Sequence, residues 1–268
     1  MKSDDMNKRD MIKGFYALLL AMALGVTMAH AMMPGRTVEV ECPLCGCAKS
    51  ITTLLSGNTF GSRHWSDTKS YSPGMPRLPY VWKCDGCHKY YIPGKDAPRV
   101  GFGAKDLSYD ELKEAYVQLS DSGMDERREL SVRLELVKGF NDRYRIGRRG
   151  GKRVEPSDQS GDYSDEEKAF AKDNLLRTIA LLCRQEKPSI PVIAEFFREA
   201  GDYGSCLRML DSYVSEDDYL DYIAMLIRQH ANEQDSKVFE IPKNWESDYK
   251  KRKNATKDTG PSDKENPK

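Results

Sequence analysis

Two short stretches, Cys42-Pro43-Leu44-Cys45-Gly46 and Cys84-Asp85-Gly86-Cys87-His88, decide how the N-terminal part of this chain folds. Each is a Cys-x2-Cys turn, and each follows a strand-like run: Thr37-Val38-Glu39-Val40-Glu41 before the first, Tyr80-Val81-Trp82-Lys83 before the second. Tyr90-Tyr91-Ile92 leads away from the second. A two-residue turn presents two sulfurs to one ion, and two such turns supply the four thiolates of a tetrahedral zinc site. The expected metal ligands are therefore Cys42, Cys45, Cys84 and Cys87. The 38 residues between Cys45 and Cys84 make an unusually long loop for a zinc ribbon, and Gly57, Gly61, Pro73, Gly74, Pro76 and Pro79 punctuate it with turns.

Two other chemistries fit the same residues. Outside the cytoplasm, thiols tend to become disulfides, which would pair across the two turns because a bridge within Cys-x2-Cys is strained. In addition, Cys84-Asp85-Gly86-Cys87-His88 matches the C-x-x-C-H attachment pattern of haem c, with Cys84 and Cys87 bonding the haem and His88 ligating its iron. That reading leaves Cys42 and Cys45 without a role, and it is the one copy of the pattern. Cys47 lies just beyond the first turn, where it can stand in as a ligand or remain a free thiol. Cys183 and Cys206 fall on apolar helix faces, as small buried thiols do. His64 suits a polar loop contact and His230 a packing role at a helix end.

After Pro98 the period becomes helical. Ser108-Tyr109-Asp110-Glu111 is a capping box, and Leu112, Ala115, Tyr116 and Leu119 follow on one face. A second helix, about 124–144, aligns Leu130, Leu134, Val137, Phe140 and Tyr144. Ser164-Asp165-Glu166-Glu167 is another capping box, opening a helix with the stripe Leu175, Leu176, Ile179, Leu182 and Cys183. Helices over 188–200, 205–213 and 216–231 complete the reading. The fold class expected is α+β: a small four-cysteine β module over 37–95, a helical pair over 104–145, a basic, glycine-rich linker over 146–163, a helical region over 164–235, and a disordered tail over 236–268.

The knuckle Cys42-Pro43-Leu44-Cys45-Gly46, the stretch Leu54-Leu55-Ser56-Gly57-Asn58-Thr59-Phe60-Gly61-Ser62, the segment 65–68 and the aromatic strand before Cys84 together resemble one bacterial family of domains of unknown function. Its members place a two-knuckle, zinc-ribbon-like module ahead of tetratricopeptide-like helices. The resemblance covers residues 38–92 by motif and 164–232 by architecture, and it departs at Asp85, Gly86 and His88. It implies a fold and metal ligands but no reaction. Ile190–Asp218 fits one such repeat through Ala194, Phe197, Gly201, Tyr203, Cys206, Leu210 and Tyr213, the small positions allowing close helix approach.

The N-terminus adds a location. Lys8, Arg9 and Lys13 precede an apolar run from Gly14 to Met28 that ends in Ala29-His30-Ala31, the three parts of a secretory signal peptide cleaved near Ala31. Residues 1–31 are thus expected to be a leader, with export to the periplasm or exterior. An uncleaved leader anchoring the chain in a membrane is the alternative, and a cytosolic start at Met32 or Met33 is a third. The chain carries 42 basic and 42 acidic residues, and loss of four and three of these with the leader leaves 38 against 39. That neutrality gives no reason to expect nucleic acid as a partner. The basic stretch from Arg143 to Arg153 suits a solvated linker or a weak contact with an anionic surface. Nucleophile elbows, metalloprotease helices and phosphate loops are missing from the sequence, so a non-enzymatic interaction or scaffold protein is expected, with a protein partner met by the helical region near Phe197. The alternative is a redox or electron-transfer protein using Cys84, Cys87 and His88, as haem c or as a thiol pair.

Overall fold

The computed structural model describes residues 32–145, 147–149, 152–154 and 163–258. The expected leader, its expected cleavage site near Ala31, part of the expected linker and the last ten residues lie outside the described residues. The chain is α+β, with small antiparallel sheets first and seven helices after them. A long hairpin opens the chain: β1 (Met32–Glu41) pairs with β2 (Ala48–Gly57), and β7 (Gly101–Phe102) adds to the far side of β2. Short two-residue ladders follow, β3 (Arg63–His64) with β4 (Ser70–Tyr71), and β5 (Trp82–Lys83) with β6 (Tyr90–Tyr91). The β module therefore runs from Met32 to Phe102, wider at both ends than the expected 37–95.

The helices form where the sequence signals them. Helix α1 (Tyr109–Asp121) starts at a complete capping box, with the Ser108 side chain accepting from the Glu111 N–H and Glu111 accepting from the Ser108 N–H. Ser164 and Glu167 make the same reciprocal pair ahead of α3 (Asp165–Cys183). Between them, α2 (Glu126–Asn141) begins at Asp125 and ends in a 3-10 turn over Asp142–Tyr144. Helices α4 (Ile190–Glu199) and α5 (Tyr203–Asp211) meet across a turn in which Gly201 takes a φ of 78°. Ala194 and Cys206 are wholly buried where they meet, together with Leu210. Helix α6 (Asp218–Asn232) starts at Asp217, whose carboxylate accepts from the N–H groups of Tyr219 and Leu220.

Four expectations change. The stripe of α3 rotates, so Leu175 and Ile179 are buried while Leu176 and Cys183 face solvent. The 146–163 stretch is not uniformly a linker, since β8 (Gly147–Arg149) pairs with β9 (Lys152–Val154). The basic run from Arg143 to Arg153 is also not wholly solvated. Arg145 is buried against Asp67, and Arg143 lies over the Tyr163 ring. Finally, the chain after Ser236 packs back instead of trailing away. Glu240 bridges to Trp65, the Ile241 N–H donates to the His64 carbonyl at 2.8 Å, and Arg63 pairs with Glu240. Helix α7 (Trp245–Asp258) then packs Trp245 and Tyr249 onto Tyr222.

Polar groups knit the layers as much as apolar ones. Asp67 is 0% exposed and pairs with Arg145. Asn141 donates from one nitrogen to both Asp67 (3.0 Å) and Glu199 (2.9 Å). Glu195 and Arg198 form a wholly buried bidentate pair within α4, at 2.5 and 2.8 Å. The Glu199 Oε1 is buried without a partner, and that burial, reinforced by the nearby charges of Glu195 and Asp67, pushes its carboxyl well above the ordinary range.

Two predictions follow from this packing. Ile241→Ala should cost about 2–4 kcal/mol in urea unfolding, as truncation of a buried aliphatic side chain does; an unchanged midpoint would mean the tail contributes no packing. For Glu199, the proton is held in the folded state and released by the unfolded chain above about pH 4.5, so the group removes stability as pH rises. Glu199→Gln should therefore be more stable than the natural chain at neutral pH, with the difference fading below about pH 4.5, as read from unfolding midpoints across that range.

Candidate metal centre

Each Cys-x2-Cys turn closes a β-hairpin. Glu41 and Ala48 are paired at the end of β1–β2, and Cys42 to Cys47 form the loop between them. Lys83 pairs with Tyr90 at the end of β5–β6, and Cys84 to Lys89 form the second loop. The two loops repeat one hydrogen-bond pattern. The Cys42 N–H donates to the Cys47 carbonyl and the Gly46 N–H to the Cys42 carbonyl, both at 2.9 Å. In the second loop the Cys84 N–H donates to Lys89 at 2.9 Å and the His88 N–H to Cys84 at 3.0 Å. Position for position, His88 matches Gly46, and both take the left-handed backbone, φ 58° and 73°. His88 thus occupies the place where the first knuckle uses glycine, and its exposed residue lies outside the sulfur cluster.

The four sulfurs of Cys42, Cys45, Cys84 and Cys87 all lie within 4.8 Å of one another. Cys45 and Cys84 are 3.5 Å apart and Cys42 and Cys87 4.0 Å. A zinc ion bound at ~2.3 Å by four thiolates in a tetrahedron needs sulfur–sulfur edges of about 3.8 Å, so these separations bracket the required value. A disulfide needs about 2.05 Å, and the cysteines here are free. The donor set therefore fits a metal ion.

The surroundings prepare the sulfurs for one. The Cys87 and Gly86 N–H groups point at the Cys84 sulfur, at 3.5 and 3.4 Å. The Cys87 N–H first, then that of Gly86, outweigh burial and hold the Cys84 thiol down at about 6. At Cys45 the Cys47 N–H favours the thiolate, but proton sharing with Cys84 and Cys87 wins and raises it to about 12. Four sulfurs this close cannot all ionise without a cation among them. Beneath them lie Ile51, Trp82 and Tyr91, the two rings meeting edge to face at 6.1 Å. The second hairpin is fixed in turn to α1, where Gln118 accepts from the Tyr90 N–H and donates to its carbonyl, at 3.1 and 2.8 Å.

Sequence reasoning placed the four sulfurs but missed two supporting contacts. Lys49 pairs with Asp85 across the two loops at 2.9 Å. Cys47 packs over Gly86, where an added Cβ would meet its sulfur at 3.1 Å. The charge signs of Lys49 and Asp85 were readable; their proximity needed the fold. The other expected residues fall elsewhere. Phe197 packs between two helical cores, His64 is exposed, and His230 stacks on Phe239 at 4.1 Å. No helix among the described residues is long and apolar enough to cross a membrane. No protein-family model, curated protein or solved structure matches the chain.

His88→Gly should relieve the left-handed strain and stabilise the fold by up to about 1 kcal/mol, leaving metal content unchanged. Loss of the bound metal in that variant would make His88 a ligand and sink the four-sulfur assignment.

Proposed function

We propose that Cys42, Cys45, Cys84 and Cys87 hold one structural zinc ion, and that the chain is an exported, non-enzymatic interaction protein. The observation that carries the zinc is the cluster of four sulfurs, all within 4.8 Å of one another, set by two hairpin loops of matching geometry. Four protein thiolates fill every position of a tetrahedral ion, which supports a structural role, since a catalytic zinc keeps one position for water or substrate. The leader-like N-terminus supports export. The close α4–α5 pairing through Ala194 and Cys206 supports a tetratricopeptide-like helical region. An open groove of about 240 Å³ lies between β3–β4 and the helices, lined by Trp65, Val192, Tyr219, Leu220 and Ile223 among others. It offers an apolar seat for a protein partner and replaces the neighbourhood of Phe197 as the place to look.

The test is a metal assay and visible spectrum on the same purified sample. One zinc per chain without a Soret band, lost in Cys84→Ser together with several kcal/mol of stability, is the expected result. Iron in place of zinc would turn the same four thiolates into a one-electron centre. A Soret band would move the assignment to haem at Cys84, Cys87 and His88.

A further inference from the structure

The end of the β1–β2 hairpin remote from the cysteines has a composition unlike the rest of the chain. Met32 pairs with Gly57 there and Met33 with Ser56. Residues 70–76 close against them through glycine backbone: a Cβ on Gly57 would lie 2.1 Å from the Gly74 carbonyl, and one on Gly74 2.5 Å from that of Asn58. Three segments, 32–35, 54–62 and 70–76, therefore meet at one place. Not one charged residue occurs in any of them, in a chain of which 31% is charged.

This end is also apolar and open. Six of the twelve large apolar side chains exposed among the described residues belong to it: Met32, Met33, Leu55, Phe60, Tyr71 and Met75. Leu55 is 72% and Phe60 83% exposed. The remaining six are scattered singly, as surface hydrophobes usually are. The first charged residues after segments 32–35 and 70–76 are both basic, Arg36 and Arg77, whereas Arg63 and Lys69 are already paired with Glu240 and Asp142. Arg36 and Arg77 are exposed, and a long cationic side chain beside an apolar surface keeps its head among anionic groups while its stem lies along hydrocarbon.

We propose that this end of the hairpin is a membrane-docking surface that rests on an anionic lipid bilayer. Apolar side chains set into the headgroup boundary with a basic border are the pattern of interfacial binding. A lipid surface is favoured over a protein because the apolar run Gly14–Met28 ends, in sequence, just before Met32. With the leader uncleaved, the alternative to its removal near Ala31, the membrane that takes up that run adjoins Met32 in the chain. The proposal does not depend on the metal, and its test reads a different part of the molecule.

The experiment makes the full chain cell-free in the presence of nanodiscs containing phosphatidylglycerol, so that residues 1–31 are retained. Tryptophan is introduced as Phe60→Trp or Tyr71→Trp, with Val214→Trp as control, a position 89% exposed on the helical part. Brominated lipid should remove most of the added emission at positions 60 and 71 and leave that at position 214 unchanged. Leu55→Asp in the Phe60→Trp chain should abolish the quenching while the unfolding midpoint stays in place. Quenching at position 60 no greater than at 214 would overturn the proposal. So would a blue shift at position 60 that appears with protein concentration and without lipid, which would make this end an interface between two copies.

Discussion

A carboxylate that water cannot reach, Asp67, must be neutralised by the protein, and the groups that do so come from distant parts of the chain. Arg145 arrives from the end of α2, and Asn141 from its last turn. Asn141 simultaneously holds Glu199 of α4, and Lys69 beside Asp67 reaches Asp142 at 2.6 Å. Removing one member of such a buried set leaves an uncompensated charge, which costs about 3–5 kcal/mol. The short segment 65–69 thereby becomes the point at which the β module is fixed to the helices. The C-terminal segment uses the same point, since Ser66 exchanges hydrogen bonds with Phe239 through its backbone N–H and its hydroxyl.

That arrangement explains why the loop between the two cysteine pairs is so long. A short ribbon loop would only return the chain to its second knuckle. This one carries β3–β4 out to the helices and makes the buried contact at Asp67 before coming back to Trp82. The second knuckle then gains its own attachment, through Tyr90 with Gln118 and Glu114 and through Lys83 with Glu111. The β module is held to the helical layer at two separate places, and the four sulfurs bring the β1–β2 hairpin to the β5–β6 hairpin.

The sequence was most legible where a local rule has one structural meaning. Both capping boxes, both Cys-x2-Cys turns and the glycine ending α4 could be read because each answers a need of the backbone within a few residues. The buried polar network could not, because Asp67, Arg145 and Glu199 look like ordinary surface charges until the fold brings them together. The same holds for Glu195 and Arg198, which sit among the apolar positions of α4. The C-terminal segment was misjudged for a different reason. Its average composition is polar and charged, yet Ile241, Trp245 and Tyr249 recur at a spacing of four, a helical signal that averaging over the tail conceals.

The case for a metal follows from the weakness of the sheets themselves. Strands of two residues, such as β5 and β6, provide too little ladder to fix a hairpin alone. The core beneath the sulfurs is a single layer of Ile51, Trp82 and Tyr91 with two of the cysteines. Small modules of this kind usually need a covalent or metal cross-link to hold their shape. Here the four sulfurs lie within 4.8 Å of one another and the N–H groups of Cys87 and Gly86 already favour charge on Cys84. An ion held by the four thiolates would join residues 42–45 to residues 84–87 and close the long loop that carries Asp67, so that metal and the buried carboxylate would act on the same stretch of chain from its two ends.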